Sequence, residues 1–475
     1  GVTGEAPSDV LWHYNLSARH LDKLCERVDT FSVSGDGERL VVRHRDDTIV
    51  VPSSHKVDDD DPAYIRVDLT RLRRTVNPRA EWRQMFDENG RLMASHYWRE
   101  DMNGVDWDSV LNRYRPLVDL CHVVDDLHDI LWETVAELNT SHSYVSASGA
   151  AGDSDMRAGL LGADVSSGND GAKVVRVIPG ESSDPRAWSP LRAAGVAVTE
   201  GDVIVAVDGR KVGADGNLGE LLEGSAGRVV ELTVRRGENE RQVAVVPMAD
   251  EAPLRYHDWV ASRRRYVEEH SGGRLGYLHV PDMVSDGWAE LHRQIGEATR
   301  HEGVIADVRF NHGGHTSQLV VERLARRVVG WDYSRWYATA DTYPQNAVRG
   351  PIVMVTNQWA GSDGDIVAAA TQAMGYAKVI GERSWGGVVG IDGRFDLVDG
   401  TSVTQPRYAG WYGSYGWGVE NHGVDPDIVV TVSPEDWEAD CDVQLDAAIA
   451  ECLRQLDDKP AATAPELPGP AFDRC

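Results

Sequence analysis

A serine that acts as a nucleophile needs an exposed hydroxyl, a base within hydrogen-bond reach and donors for the oxyanion it creates. The segment NQWAGSDGDIVAAATQAMG (357–375) can supply the first of these. Ile352, Val353, Met354 and Val355 read as a strand running into Ala-Gly-Ser-Asp-Gly, and a helical pattern begins immediately afterwards. Small residues on both sides of Ser362 permit a sharp strand-to-helix turn that pushes its hydroxyl into the open. Unpaired N–H groups at the helix start, and the positive end of its dipole, would face an oxyanion formed there. Ala360 stands where the strict GxSxG pattern has its first glycine, so this segment alone also reads as a helix-capping serine.

A second segment, DVRFNHGGHTSQLVVERL (307–324), repeats the geometry: a strand expected to end at Phe310, a Gly-Gly turn, and a helix from near Thr316. Neighbouring turns at the carboxyl edge of a parallel sheet are where α/β enzymes assemble their sites. Gly313 and Gly314 could offer N–H groups to a developing oxyanion, although a plain tight turn has the same local pattern. His312 and His315 invite a metal reading, but no third ligand stands at motif spacing and no HExxH occurs, so neither a metal nor a cofactor is expected. With 16 histidines in the chain, composition cannot choose the base.

Taken together, the segments resemble the carboxy-terminal-processing and tricorn family of serine peptidases. The matching stretches are ELNTSHSYV (137–145), a PDZ-like block with GVAVTEGDVIVAVDG (195–209), DVRFNHGGHTS (307–317), NQWAGSDGDI (357–366), GERSWGGVVG (381–390) and GVENHGVDPDI (418–428). They fall in the family's order and cover about residues 80–455. The resemblance implies Ser362 as nucleophile, His142 as general base, and Ser141 and Glu420 completing a catalytic tetrad. It implies an oxyanion hole from the amides of Gly314 and Asp363. It also implies Asp332 as the acid of the specificity pocket, hence a preference for Lys or Arg before the cut. Carboxy-terminal-processing relatives use a lysine in a Gly-Lys-Gly turn as the base. Here that stretch is Ser384-Trp385-Gly386-Gly387-Val388, so a histidine route is expected instead.

The elements that must position these residues are partly visible. Helical spacing runs over 78–98, with a break expected at Asn89-Gly90, and over 118–138, just before His142. From about 152 to 250 short β stretches alternate with Gly and Pro, which is the PDZ-like block. Buried strands are expected at 274–280, 303–310, 351–357 and 377–382, separated by amphipathic stretches near 286–300, 316–329 and 365–375. That alternation argues an α/β layer on a largely parallel sheet. Residues 31–52 read as a β-meander with a turn at Ser-Gly-Asp-Gly, the end of a β-propeller by the resemblance. The expected fold class is therefore α/β plus β. An α/β catalytic domain (258–455), with the ClpP/crotonase-like layers implied by the family, carries Ser362. A helical C1 domain (78–150) carries His142, with a PDZ-like module (152–250) between them. A propeller remnant and linker (1–70) precede these, and a Pro-rich disordered tail (457–475) follows.

Composition bounds the rest. The chain has 475 residues, roughly three domains at ~150 each. Its 48 basic and 76 acidic residues give a net charge of −28, which repels nucleic acids and anionic lipid. No apolar run approaches the ~18 residues of a membrane span, and residues 1–15 do not read as a secretory signal. Five scattered cysteines form no disulfide framework, which fits a reducing cytoplasm. Oligopeptides are the expected substrates, and the resemblance implies a homo-oligomer, a hexamer. A competing reading is a catalytically silent scaffold whose Gly159-Leu160-Leu161-Gly162 turn holds peptide carboxyl termini. A third, an envelope peptidase cutting protein tails, has the absent lysine and signal against it.

Overall fold

The computed structural model describes residues 9–467, apart from positions 46, 74, 148–155 and 214–216. The chain divides into two compact units, Gly1–Pro78 and Arg79–Cys475. In the first, strands Asp9–Asn15 and His20–Val28 pair antiparallel. Strands Thr30–Val33, Arg39–His44, Asp47–Pro52 and Ile65–Val67 form a four-stranded antiparallel meander. The expected turn closes its first hairpin: the Asp36 carboxylate accepts from the Ser34 hydroxyl and the Glu38 amide. Leu40, Val42 and Val51 point inward and share a small core with Leu24 and Val28.

The second unit opens with helices Pro78–His96, Trp107–Val118 and Val124–Ala136. The break expected at Asn89-Gly90 does not occur. Gly90 is instead a contact point, because a Cβ there would lie 2.8 Å from both methyl carbons of Leu111. Its carbonyl also accepts the Trp107 indole N–H at 3.0 Å. The single helix expected over 118–138 begins only at Val124, since the Asp126 carboxylate reaches back to the amides of His122 and Val123 and starts a new helix.

A β-module follows, with strands Ala163–Gly168, Gly171–Val177, Val203–Val207, Val230–Arg236 and Asn239–Val245 paired in chain order around their own apolar core. The α/β part is a five-stranded sheet in the order Leu275–His279, Gly303–Asp307, Ile352–Thr356, Ala377–Gly381, Ile428–Val429, with every pairing parallel. Leu278, Val304, Ala306, Met354 and Val379 face helices Ser285–Ala298, Ser317–Leu324 and Asp363–Met374. Tyr277, Ile305, Val353, Val355 and Ile380 face helices Ala252–His270 and Val443–Asp458. Burial on both faces explains why Leu275–His279, Gly303–Asp307 and Ile352–Thr356 read as continuous apolar runs.

The tail departs from expectation. The last helix runs through Asp458, the Ala462 amide donates to Arg349 O at 2.8 Å, and Ala461 packs against the sheet's core. Residues 1–8 and 468–475, Cys475 among them, lie outside those described.

Candidate active site

Two adjacent parallel strands, Gly303–Asp307 and Ile352–Thr356, deliver their following turns to the same edge of the sheet. The turns are laced together. Asn357 Oδ1 accepts from the Phe310 amide at 3.0 Å, Asn311 O accepts from the Gly361 amide at 3.0 Å, and Asp363 Oδ2 accepts from the Ser317 amide at 3.0 Å. Below them Arg309 is buried between Asp307 and Asp442, pairing with both.

Ser362 caps helix Asp363–Met374 with φ 56° and ψ −118°, a conformation that a non-glycine residue holds at a cost of about 1–3 kcal/mol. Its side chain lies against Gly313. A Cβ on Gly313 would sit 2.5 Å from Ser362 Cβ and 3.1 Å from its Oγ, and Gly313 is itself at φ 72°. Gly314 pairs with Met283, whose carbonyl accepts the His315 and Thr316 amides. The Gly314 and Asp363 amides have no acceptor among the described residues. Asp363 follows Ser362 directly, and Gly314 follows Gly313, the residue packed against the Ser362 side chain, so both donors belong to the turns that meet at Ser362.

His142 comes from the other end of the unit. Val145–Ser146 pairs antiparallel with Ser402–Val403, which draws the segment after helix Val124–Ala136 onto the α/β part. Thr404 clamps it: its hydroxyl donates to His142 O and accepts from the Tyr144 amide. His142 holds φ 60°. The ring's Nδ1 lies 2.9 Å from Ser141 Oγ, and Ser141 Oγ donates to Glu420 Oε2 at 3.0 Å. Glu420 also accepts from the amides of Ser141 (2.7 Å), Val388 (2.7 Å) and Val389 (3.0 Å).

This pattern selects a tautomer. A carboxylate only accepts, so the Ser141 proton goes to Glu420, and Ser141 Oγ must then accept from His142 Nδ1–H. Nε2 is left with its lone pair, the form a general base requires. Burial holds the imidazole below its ordinary 6.5, with the Glu420 charge opposing.

His142 and the Ser362 turn share a neighbour that the sequence reading treated only as part of a loop. The Trp385 ring meets the His142 ring edge-on, centroids 5.3 Å apart, and a Cβ on Gly361 would lie 2.7 Å from the same indole. The Trp385 amide donates to Ala360 O at 3.0 Å. No hydrogen bond joins Ser362 Oγ to His142 among the described residues; such contacts commonly tighten only once substrate is bound. Asp365, buried in the first turn of helix Asp363–Met374, is a second residue the sequence reading passed over. An acid in the first turn of a helix commonly does no more than offset the helix dipole.

Other expected residues fall outside this cluster. Asp332 is exposed on a two-stranded ribbon directly opposite Asp341, and among the described residues it makes no side-chain contact with Ser362 or His142. His312 and His315 are exposed, and among the described residues no group of three or more His, Cys, Asp or Glu side chains is arranged to hold a metal ion. The Gly159–Gly162 turn is not an open carboxylate seat. Its Gly159, Leu160 and Gly162 amides already donate to Leu222 O, Met248 O and Glu251 Oε1. A cavity of about 450 Å³ opens beside Glu420, between Tyr97, Trp98, Trp417 and Asn421.

A half-buried serine at a strand-to-helix turn, beside a Trp385 ring that also meets an imidazole tied through Ser141 to a carboxylate, is an arrangement that can support acyl transfer. Residues 274–430 match peptidase family S41, residues 159–250 the tricorn protease PDZ domain and residues 78–136 the tricorn protease C1 domain. The chain belongs to peptidase family S41, in its tricorn branch. It is 56% identical over 467 residues to tricorn protease homolog 1 of Streptomyces coelicolor, covering 97% of this chain and 44% of the relative. It is 35% identical over 454 residues to the tricorn protease of Thermoplasma acidophilum, covering 95% and 42% respectively. A crystal structure of the tricorn protease superposes with a TM-score of 0.87 at 34% identity, covering 94% of this chain and 43% of that one. The chain thus spans less than half the length of these relatives. Among the described residues no helix is long and apolar enough to cross a membrane.

Proposed function

We propose that this chain hydrolyses peptide bonds of oligopeptides through an acyl-enzyme on Ser362. The observation that carries this is the Glu420–Ser141–His142 relay, which leaves Nε2 as an acceptor beside the Trp385 wall shared with the Ser362 turn. His142 Nε2 takes the Ser362 proton as Oγ bonds to the scissile carbonyl carbon. The amides of Gly314 and Asp363 receive the resulting oxyanion. Collapse breaks the C–N bond, and the imidazolium returns its proton to the leaving amine. Water then repeats the sequence, with His142 removing its proton and Ser362 recovering one as the acid leaves.

A fluorophosphonate probe tests this directly. The expected result is one adduct, its mass shift on the peptide containing residues 357–366. An unmodified chain, or an adduct elsewhere only, would leave the silent-scaffold reading instead.

The same proposal takes Asp332 as the acid that selects basic P1 residues. Its cross-strand neighbour Asp341 places a second carboxylate on the ribbon, which strengthens the pull on a cation. Asp332→Asn is expected to lower kcat/KM for Lys and Arg substrates by about 10-fold relative to Leu substrates, the worth of one exposed-to-half-buried charge contact. An unchanged ranking of substrates would remove Asp332 from the pocket. By likeness to the family, the reading further takes the first unit's meander as the end of a propeller and the protein as a cytoplasmic homo-oligomer, a hexamer.

A further inference from the structure

The turn Ser384-Trp385-Gly386-Gly387 is held from both ends. At one end the buried Asp365 carboxylate accepts from the Ser384 hydroxyl at 2.5 Å and from the amides of Gly386 (2.8 Å) and Gly387 (3.3 Å). Ser384 Oγ in turn accepts the Val424 amide at 2.8 Å. At the other end Glu420 accepts the next two amides, Val388 and Val389. One short stretch thereby ties the nucleophile helix to the carboxylate that orients the base. Trp385 projects from its middle, against His142 on one side and Gly361 on the other.

We infer that Asp365 is a positioning residue for the base: by pinning the 384–387 turn to the nucleophile helix, it sets Trp385 as the wall that shields His142 and fixes its distance from Ser362. This rests on the peptidase reading above. The backbone allows little slack, since Gly386 holds φ 92° and a Cβ there would lie 2.5 Å from the Gly423 amide nitrogen. Gly387 is equally confined, with its hypothetical Cβ 2.2 Å from the Trp385 ring. Asp365 is the only carboxylate within hydrogen-bond reach of this turn among the described residues. A carboxylate is required because all of its partners there are donors. Burial raises Asp365 to about 6, against the pull of those donors, so the anion is present at neutral pH and is lost in mild acid. The charged and titratable groups around the assembly are Asp363 and Tyr412 near Asp365, and Glu420 and Tyr144 near His142.

The test is a mutant cycle on kcat/KM with pH profiles, after the wild type has been shown to turn over a peptide and to label at Ser362. Asp365→Asn keeps the volume but turns an N–H₂ toward donors. Trp385→Ala removes the wall at a side chain that is 47% exposed, where folding is least at risk. Each is expected to lower kcat/KM by about 10-fold, with the double variant no worse than the poorer single one, because both act through one contact. Loss of shielding also lets water reach His142, so the acid limb in Trp385→Ala should rise by roughly half a pH unit. A purely structural defect would reduce the active fraction without moving that limb. Trp385→Ala with wild-type kcat/KM and limb, or losses that multiply in the double variant, would overturn the inference. An inert wild type would remove the peptidase reading and this inference with it.

Discussion

Ser362→Ala should reduce kcat/KM on short peptides by about 10⁴–10⁶-fold, the range seen when the nucleophile of a serine hydrolase is removed. Stability should barely change. The Ser362 hydroxyl donates to no described group, and the Cβ that meets Gly313 survives the substitution. The backbone at φ 56° is imposed by the turn and is equally strained for either residue. Thermal unfolding is thus expected within about 2 °C of wild type. Measuring turnover and melting on the same preparation separates the two effects. Turnover within tenfold of wild type would show that another residue attacks. A large drop in melting temperature would show that the hydroxyl has a structural partner instead.

The parts of this molecule that were legible in its sequence are those where one physical constraint acts alone. Ile352–Thr356 and Gly303–Asp307 are buried on both faces, so their apolar runs announced parallel strands. The final strand, Ile428–Val429, was missed because two exposed residues carry no such run. Helix boundaries failed where a side chain rather than apolar spacing decides them. Leu111 converts Asn89-Gly90 from a break into a packing site, and Asp126 starts a helix inside a continuous apolar pattern.

The site divides in the same way. A strand–turn–helix around Ser362 is local and could be read directly. The contact of Ser141 with Glu420 joins residues 279 apart, and no local pattern encodes it; only the ordered resemblance to a family pointed there. Asp365 and Trp385 were overlooked since their roles exist only between segments. An acid in a helix's first turn and a Trp before a Gly-Gly pair each have ordinary local explanations. In Asp332 the sequence reading outran the geometry, which leaves that residue exposed on its ribbon.

Glu420→Gln is the sharper test of the relay, because it preserves shape while changing which atoms can donate. Glu420 receives four hydrogen bonds, from Ser141 N–H and O–H and from the amides of Val388 and Val389. A glutamine must turn its N–H₂ toward some of these donors. With its amide nitrogen near Ser141, the Ser141 hydroxyl is released to donate to His142 Nδ1, and the ring proton moves to Nε2. The base then has no lone pair for Ser362. A carboxylate-to-amide change that traps the wrong tautomer costs about 10⁴ in kcat in serine hydrolases, and a loss of about 10³–10⁴ is expected here. KM should change little, since Glu420 lies behind the imidazole rather than against substrate. Glu420→Asp shortens the side chain but keeps an acceptor, and is expected to recover about tenfold of the loss. Equal activity in the Gln and Asp variants would mean that Glu420 only braces the Val388–Val389 turn, and that His142 takes its tautomer from elsewhere.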